Sequence, residues 1–423
     1  MKTTFKKTEE TLHRITKNET LEAIKKRFSD APENSADKIP NAGEYTKESK
    51  QNINNFLEGR SNNQYPNLFK GNNFEEVGDL RGNIENYIGM TQVPTGIMGP
   101  LHVKGTSLNE HVYIPLATSE GALVASYHRG AKACTLSGGV TSICINESVS
   151  RSPLFKFNDL PQLFDFLLWF NQNLDQFHEI VGKVSNHAKL DDISSAIEGN
   201  TVIISFKYFT GDASGQNMVT ICTQAICDFI LTESPVKPVQ WFIESNYSGD
   251  KKASGASFTS VRGKKVTAEC VVKKEVVETV LKSTPENMEK IWKTSTLAAI
   301  QSVTIGAQGH YANGLAAVFL ACGQDVACVS EASVGITRME VNQDGDLYCS
   351  VTLPNLIVGT VGGGTSLPTQ RECLDIMGCL GQGKSRRFAE ICAAVVLAGE
   401  LSIAAAISEG HFTKAHQYLG RKR

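Results

Sequence analysis

The clearest signal of the fold class is the stretch Thr201-Val202-Ile203-Ile204-Ser205-Phe206-Lys207-Tyr208-Phe209. Its β-branched and aromatic residues predict a β-strand. A polar turn, Thr210-Gly211-Asp212-Ala213-Ser214-Gly215-Gln216-Asn217-Met218, follows at once, and residues 215–231 continue with a helical pattern. Strand, turn and helix in succession are typical of mixed folds. We therefore predict the α/β (α+β) class.

The same alternation extends to both sides of this stretch. An amphipathic helix is predicted over residues 160–181 and a strand over 239–244, so residues 153–243 form a compact unit. Further predicted elements are a helix of small residues over 117–135, a helix that starts at Thr284-Pro285-Glu286, a strand over 348–360 and a buried helix over 386–408. Residues 1–82 are rich in Lys, Glu and Asn, with a helical patch at 20–28, and read as a helical N-terminal arm.

Length and composition restrict the function classes. With 423 residues the chain is expected to form two or three domains. A net charge of −2 gives no support to binding of nucleic acid or of a membrane surface. The 11 scattered cysteines lack metal-type spacing, which predicts reduced thiols, a cytoplasmic protein and no metal site. The apolar stretch 391–407 is interrupted by Glu400 and is shorter than a bilayer requires, so we expect a soluble protein.

A polar loop, Ser245-Asn246-Tyr247-Ser248-Gly249-Asp250-Lys251-Lys252, is the first candidate site. Loops supported by a rigid scaffold often carry catalytic side chains. An ammonium group beside a carboxylate can stabilise an oxyanion. Taken alone, the sequence fits a solvated surface patch better.

Three other titratable residues have suggestive surroundings. Glu120 lies at the predicted start of the small-residue helix, where it is either a general acid or a compensator of the helix dipole. Asp325 lies in an apolar setting, where it either needs a cation, for which Lys251 is a candidate, or acts as a local cap. His416, close to the C-terminus, is either exposed or a proton donor that arrives on closure.

Two glycine-containing turns could bind anions. In the turn 210–218, Gly215 allows close approach of a ligand to the backbone at a helix N-terminus, although an ordinary capped turn is equally consistent. The pattern is not GxGxxG, so spacing alone does not predict a dinucleotide. Gly362-Gly363-Gly364-Thr365 offers the same possibility after a predicted strand, and a flexible turn is the alternative.

Seven motifs together resemble those of the 3-hydroxy-3-methylglutaryl-coenzyme A (HMG-CoA) reductase family, in its soluble, eukaryote-like catalytic form. In chain order they are Glu85-Asn86-Tyr87-Ile88-Gly89, Thr118-Ser119-Glu120-Gly121, Asp212 to Met218, Asp250-Lys251-Lys252, Gly323-Gln324-Asp325, Gly362-Gly363-Gly364-Thr365 and His416. The resemblance covers residues 83–423 and implies a division of the chain. A large substrate domain built around a central helix would comprise residues 83–152 and 254–423. A ferredoxin-like, NADP-binding small domain (153–243) would be inserted in it, followed by a catalytic loop (244–253).

The resemblance also implies a reaction. The family reduces HMG-CoA to mevalonate and coenzyme A with two NADPH, through mevaldyl-CoA and mevaldehyde, in isoprenoid synthesis. It implies that Lys251 stabilises the oxyanion, Glu120 donates a proton, Asp325 tunes both through a shared network, and His416 protonates the departing thiolate. The implied substrate-binding residues are Arg151, Ser245, Asp250, Lys252, His310 and Asn313. The implied cofactor-binding residues are Ser185, Asp212, Ser214, Gly215, Gln216, Asn217, Gly362 and Gly363. The implied assembly is a homodimer or larger homo-oligomer with shared active sites.

Two departures from the family pattern keep alternatives open. Glu244 stands where a substrate-binding serine is usual, and Asn186 where an arginine near the cofactor is usual. A diverged reductase of a related acyl-CoA, or an NAD-dependent oxidative enzyme, would explain both, so NADH remains an alternative to NADPH. An inert binding protein is a third hypothesis, which the intact set of Glu120, Lys251, Asp325 and His416 disfavours. The sequence leaves the physiological direction, the oligomer size and the role of residues 1–82 open.

Overall fold

The computed structural model describes residues 46–61, 77–106 and 108–410, with the isolated positions 20, 22, 40, 41 and 44. The chain divides into two compact units, residues 1–91 and 92–423. The first unit contains helix α1 (Lys47–Ser61) and a 3₁₀ turn (Val77–Leu80). Thr46 and Ser49 cap α1 reciprocally, since each side-chain oxygen accepts the other's backbone N–H at 3.0 Å. The helical patch predicted at 20–28 falls almost wholly outside the described residues.

The second unit contains a ten-stranded sheet in its described part. The strands are β1 (Thr95–Gly105), β2 (Asn109–Ala117), β3 (Val140–Arg151), β4 (Leu154–Lys156), β5 (Lys189–Glu198), β6 (Thr201–Phe209), β7 (Gln240–Phe242), β8 (Gly263–Val272), β9 (Ile336–Val341) and β10 (Leu347–Leu356). The order along the main path is β7-β4-β6-β3-β8-β10-β9, and β5 pairs with β6. β1 pairs antiparallel with β2 and parallel with β3, while the other pairings are antiparallel.

Helices cover this sheet. They are α2 (Leu123–Leu136), α3 (Leu160–Gln172), α4 (Leu174–Val184), α5 (Gln216–Glu233), α6 (Pro285–Gln301), α7 (Tyr311–Ala321), α8 (Val329–Ala332), α9 (Pro368–Ile376) and α10 (Ser385–Ser408). A single turn at Lys274–Val276 continues as a π-turn at Val277–Leu281. Short 3₁₀ turns occur at Gly255–Phe258, Val326–Cys328 and Gly363–Ser366.

The core of the second unit is organised around α10. This 24-residue helix is long and apolar enough to cross a membrane, but most of it is buried inside the unit. It packs against α2, β3, β8 and β10. Its apolar character is therefore accounted for by packing, because a helix that is hydrophobic on all sides is expected in a protein core.

The contact between α2 and α10 is close enough to require glycine. A Cβ atom at Gly130 of α2 would lie 1.9 Å from the carbonyl oxygen of Ala398 in α10. We expect Gly130→Ala to lower the free energy of unfolding by about 2–3 kcal/mol, because the two helices must separate. Gly182→Ala in α4 is the matched control, since nothing lies within 4 Å of a Cβ there. That variant should gain up to about 1 kcal/mol from helix propensity. Urea denaturation measures both, and an equal effect at the two positions would contradict the packing argument.

Most predicted elements are present, and the mixed α/β class is confirmed. β6 has the predicted bounds, α5 and α10 start within one residue of prediction, and Thr284 caps α6 by accepting the Asn287 N–H at 3.2 Å. The helix predicted over 160–181 is interrupted at Asn173, whose side-chain amide donates to the Trp169 carbonyl at 2.7 Å. The strand predicted over 239–244 is present as the shorter β7. The strand predicted over 348–360 is present as β10, which starts one residue earlier and ends four residues earlier than predicted.

The helix predicted over 117–135 was placed too early. Residues up to Ala117 belong to β2, and Ala122 has a left-handed backbone (φ 71°), so α2 begins only at Leu123. Glu120 consequently lies in the turn between β2 and α2. Pairing with β1 places Ala117 in β2, and the left-handed backbone of Ala122 is not helical.

Candidate active site

The polar loop that follows β7 has a constrained backbone. Asn246, Gly249 and Lys251 all adopt left-handed conformations, with φ of 67°, 75° and 56°. For a lysine this conformation costs roughly 1–2 kcal/mol, so surrounding contacts must hold it. The backbone N–H of Lys251 donates to Glu331 Oε2 at 3.1 Å. The loop is thus fixed at the residue expected to do the chemistry.

The side chain of Lys251 forms an ion pair with Asp325. Its Nζ lies 2.9 Å from Asp325 Oδ2, and both side chains are partly exposed, at 44% and 41%. The hydrogen bond that Lys251 donates to Asp325 raises the pKa of Lys251 above its ordinary value, so the ammonium stays protonated. Asp325 Oδ1 accepts the Ala327 N–H at 3.0 Å and caps the turn Val326–Cys328. The structure contains the predicted pair of Asp325 with Lys251. The predicted apolar setting of Asp325 is wrong, because its side chain is 41% exposed.

A buried charge cluster lies beneath this pair. Arg262, with 3% of its side chain exposed, contacts Glu331 Oε1 at 2.7 Å and Asp250 Oδ1 at 2.8 Å. Arg151 contacts Asp250 Oδ2 at 3.3 Å and Glu244 Oε2 at 3.1 Å. Burial raises the pKa of Glu331, which is fully buried, although Arg262 opposes this shift. Each arginine is shared between two carboxylates, so the cluster anchors Asp250 from both sides.

The remaining loop residues make contacts within the chain. Ser245 donates through Oγ to the Ser152 carbonyl at 2.7 Å, and Glu244 Oε1 accepts the Asn246 N–H at 2.9 Å. Lys252 is exposed, and its Nζ donates to the Asp250 carbonyl at 2.7 Å. The structure therefore brings Arg151, Asp250 and Glu244 together, while the Ser245 hydroxyl is used by the scaffold.

Glu120 and Asn313 form a second pair. Asn313 Nδ2, in the first turn of α7, donates to Glu120 Oε2 at 2.8 Å. Glu120 is exposed. It does not lie at a helix start as predicted, because β2 ends three residues before it and α2 begins three residues after it. The chain thus presents two carboxylates, each held by a nitrogen donor, Asp325 by Lys251 and Glu120 by Asn313.

His310 is held by a carboxylate that the sequence did not single out as functional. Its Nδ1 lies 3.0 Å from Glu400 Oε1, and its ring stacks on Tyr127 with centroids 5.4 Å apart. The available signal was the interruption of an apolar helix by one acidic residue, since a buried carboxylate needs dedicated partners.

The turn before α5 has the features of an anion site. Gly215 is its N-cap with a left-handed backbone (φ 82°), and no side chain caps the helix. The free N–H groups of the first turn could therefore bind a phosphate. Gly359 lies so close to this turn that a Cβ would be 2.5 Å from Ser214 N. Gln216 donates to Cys328 Sγ at 2.8 Å, which connects the turn to the segment that follows Asp325.

Asp212 has a structural role that the sequence did not predict. Its carboxylate accepts the N–H groups of Gly383 at 2.7 Å and Ser385 at 3.1 Å, and so supports the start of α10. Burial opposes its charge, but these hydrogen bonds prevail and lower the pKa of Asp212 below its ordinary value. Asp212 therefore positions the turn; its carboxylate oxygens are already occupied by the protein.

The other predicted cofactor residues fit a ligand to different degrees. Gly362 and Gly363 have φ of 77° and 56°, and a Cβ at either would meet nothing within 4 Å, so the backbone there is open to close approach. Ser185 is the C-cap of α4, and its Oγ accepts the N–H groups of His187 and Ala188 at 3.1 and 3.0 Å. The open glycines and the uncapped start of α5 suit a phosphate-bearing cofactor.

His416 lies outside the described residues, so its predicted role stays a prediction. In the part of the chain that the structure describes, no group of three or more His, Cys, Asp or Glu side chains could hold a metal ion. All eleven cysteines are free thiols, and nine of them are buried.

Comparison with known proteins decides the family. The family model described as hydroxymethylglutaryl-coenzyme A reductase matches residues 47–421. The chain belongs to this family. The prediction made from its seven motifs is confirmed, and membership makes the chain an oxidoreductase of the HMG-CoA reductase type.

Individual HMG-CoA reductases show the extent of the similarity. The enzyme of Pyrococcus abyssi is 44% identical over 347 residues, which cover 80% of this chain and 85% of that protein. The enzyme of Methanocaldococcus jannaschii is 42% identical over 349 residues, covering 81% and 85%. The class II HMG-CoA reductase of Streptococcus pneumoniae, solved with bound NADPH in open conformations, superposes with a TM-score of 0.65 at 17% identity, covering 84% and 96%. This last likeness shows that the fold is shared.

Proposed function

We propose that this protein reduces HMG-CoA to mevalonate and coenzyme A with two NADPH, through mevaldyl-CoA and mevaldehyde. The observation that carries the proposal is the Lys251–Asp325 ion pair on a constrained loop, in a chain of this family. Reduction of a thioester carbonyl develops negative charge on oxygen, and a fixed ammonium group is suited to stabilise it.

The described residues support definite roles. Lys251 holds its proton and binds the developing oxyanion, and Asp325 keeps that ammonium charged and oriented. Glu120, oriented by Asn313, supplies a proton to the oxyanion. His416 is proposed to protonate the leaving thiolate; this role rests on the resemblance alone. Arg151, Asp250 and Lys252 are proposed to bind the hydroxymethylglutaryl group, together with Ser245, His310 and Asn313.

The open backbone at Gly362 and Gly363 and the uncapped start of α5 support a nicotinamide dinucleotide as cofactor. When bound there, NADPH would supply the hydride. The residues proposed to hold it are Ser185, Asp212, Ser214, Gly215, Gln216, Asn217, Gly362 and Gly363. Asp212 acts by fixing the turn, since its oxygens bind Gly383 and Ser385.

The proposed domain division has support in the strand order. β4, α3–α4, β5, β6, α5 and β7 follow one another in the βαββαβ order, and their spatial order is β7-β4-β6-β5. This is the arrangement of a ferredoxin-like unit, and it supports residues 153–243 as the small domain. The flanking ranges 83–152 and 254–423 would form the large domain around α10, with 244–253 as catalytic loop and 1–82 as arm. A homo-oligomer with shared active sites and a cytoplasmic location complete the proposal.

The second candidate function rests on Glu244. Its carboxylate forms an ion pair with Arg151, a residue proposed to bind the carboxylate of the substrate. An enzyme acting on a related acyl-CoA without a free carboxylate would tolerate this contact better.

Glu244→Gln tests whether the charge of Glu244 opposes binding of an acidic substrate. The amide keeps the shape and removes the charge, so for HMG-CoA we expect KM to fall about tenfold, equivalent to about 1.4 kcal/mol. For an acyl-CoA that lacks the carboxylate, KM should not fall. Glu233→Gln, at the exposed end of α5, is the control for loss of one acidic residue. Steady-state kinetics with both substrates measure the effect; an unchanged KM for HMG-CoA would contradict the charge argument.

The test of the main proposal uses purified protein, HMG-CoA, and NADPH or NADH in separate assays. Loss of nicotinamide absorbance with mevalonate as product supports the proposal, and the ratio of the two rates determines cofactor preference. Absence of oxidation with both cofactors would refute it. A panel of related acyl-CoAs, assayed in both directions, would then separate the second candidate from an inert binding protein.

A further inference from the structure

A buried carboxylate with no assigned role lies in the middle of α10. Glu400 has 3% of its side chain exposed and is surrounded by the apolar residues of the core helix. Within the described part of the chain its ion-pair partner is His310, with no lysine or arginine involved. A carboxylate in such a place is expensive unless its oxygens are fully hydrogen-bonded.

Both oxygens of Glu400 are indeed occupied. Oε1 accepts the backbone N–H of His310 at 2.7 Å and lies 3.0 Å from its Nδ1. Oε2 accepts the backbone N–H of Gly309 at 2.8 Å and the hydroxyl of Thr337 at 2.7 Å. Burial opposes the charge, but the hydrogen bonds from His310 and Thr337 prevail and lower the pKa of Glu400. Glu400 is therefore an ionised acceptor of four hydrogen bonds.

The ionised carboxylate determines the state of the His310 ring. Because a carboxylate only accepts, Nδ1 must carry a proton and donate to it. Nε2 is then the ring nitrogen directed away from Glu400. Stacking on Tyr127, at an interplanar angle of 24°, restricts rotation of the ring. His310 is thus fixed in one orientation and with one nitrogen protonated.

The same carboxylate sets the start of α7. His310 is the N-cap of this helix, and Glu400 binds the N–H groups of His310 and of the residue before it. Gly309 leaves room for this contact, since a Cβ there would lie 3.0 Å from Glu400 Oε1. Asn313, in the first turn of α7, orients Glu120. One buried group therefore connects to both His310 and the Glu120–Asn313 pair.

We propose that Glu400 is a positioning residue of the active site, which fixes the Nδ1-protonated form of His310 and the entry into α7. The proposal deepens the proposed function, because it assumes that His310 and Asn313 act on the substrate. Glu400 itself does not touch the substrate; it acts through the groups it holds.

The test compares Glu400→Gln with Thr337→Val in protein labelled with ¹⁵N at histidine. In Glu400→Gln we expect the His310 ring nitrogen signals to shift, because a neutral amide does not enforce a proton on Nδ1. We expect kcat to fall by about 10²-fold with little change in KM. Thr337→Val removes a hydrogen bond from the same carboxylate and none from His310. It should lower the melting temperature and leave the His310 signals and kcat nearly unchanged.

The outcomes separate this inference from the proposed function. If the wild type does not reduce HMG-CoA, the proposed function fails, and the nitrogen signals still decide whether Glu400 controls His310. If Glu400→Gln keeps wild-type signals and kcat, the inference is overturned. If that variant does not fold, Glu400→Asp is measured in its place, because aspartate keeps the carboxylate on a side chain that is one methylene shorter. Shifted signals with a reduced kcat support the inference, and unchanged values overturn it.

Discussion

Replacing Lys251 with methionine is expected to lower kcat for HMG-CoA by about 10³-fold or more. The ammonium group is the cation paired with Asp325 at 2.9 Å, and the hydrogen bond that it donates to Asp325 raises its pKa. Methionine keeps much of the length and removes the charge that stabilises the oxyanion. Because both partners are partly exposed, the loss of the ion pair should change stability by less than about 1 kcal/mol.

The control is Lys273→Met. Lys273 is also exposed and paired with a carboxylate, Asp346 at 3.8 Å, but it follows the far end of β8. Single-turnover and steady-state assays of both variants, with thermal melts, measure the effect. Asp325→Asn should follow Lys251→Met in direction, since it withdraws the group that orients the ammonium. Near-wild-type turnover of Lys251→Met would remove Lys251 from the mechanism.

The Lys251–Asp325 contact could be expected from the sequence because it follows from one local rule. A carboxylate in a run of small apolar residues needs a cation, and Lys251 was a candidate; the pair forms although 41% of the Asp325 side chain is exposed. The strand β6 and helix α5 were predictable for a similar reason, since each depends on local sequence. The β-branched residues indicate the strand, and the glycine-containing turn precedes the helix.

The buried partners could not be expected in the same way. Arg262 and Glu331 are 69 residues apart, and His310 and Glu400 are 90 apart. No local pattern specifies which distant carboxylate meets which cation. Asp212 illustrates the same limit: its position in a turn suggested a ligand contact, whereas folding brings the start of α10 to its oxygens. Glu120 was misplaced for a different reason, since the left-handed backbone at Ala122 puts the start of α2 at Leu123.

Replacing Arg262 with methionine is expected to destabilise the second unit more than any other single change considered. Arg262 is 3% exposed and bridges Glu331 and Asp250. Without it, the fully buried Glu331 keeps the Lys251 N–H but loses its cation. Breaking a buried ion pair from one side costs about 3–5 kcal/mol, because an uncompensated charge remains. The left-handed backbone at Lys251 loses support too, so kcat should fall as well.

Three measurements test this expectation. Arg338→Met is the matched control, since Arg338 pairs with Glu340 on the surface and its loss should change stability little. The double variant Arg262→Met/Glu331→Gln should recover part of the stability, because the buried charge is gone.

The pH dependence has a definite sign. Burial already raises the pKa of Glu331 above its ordinary 4.5, and loss of Arg262 raises it further. The folded state then binds the proton more tightly, so the deficit of Arg262→Met should shrink as pH falls towards 4.5 and grow as pH rises above it. Equal losses for the two arginine variants, or a deficit independent of pH, would show that Glu331 does not depend on Arg262.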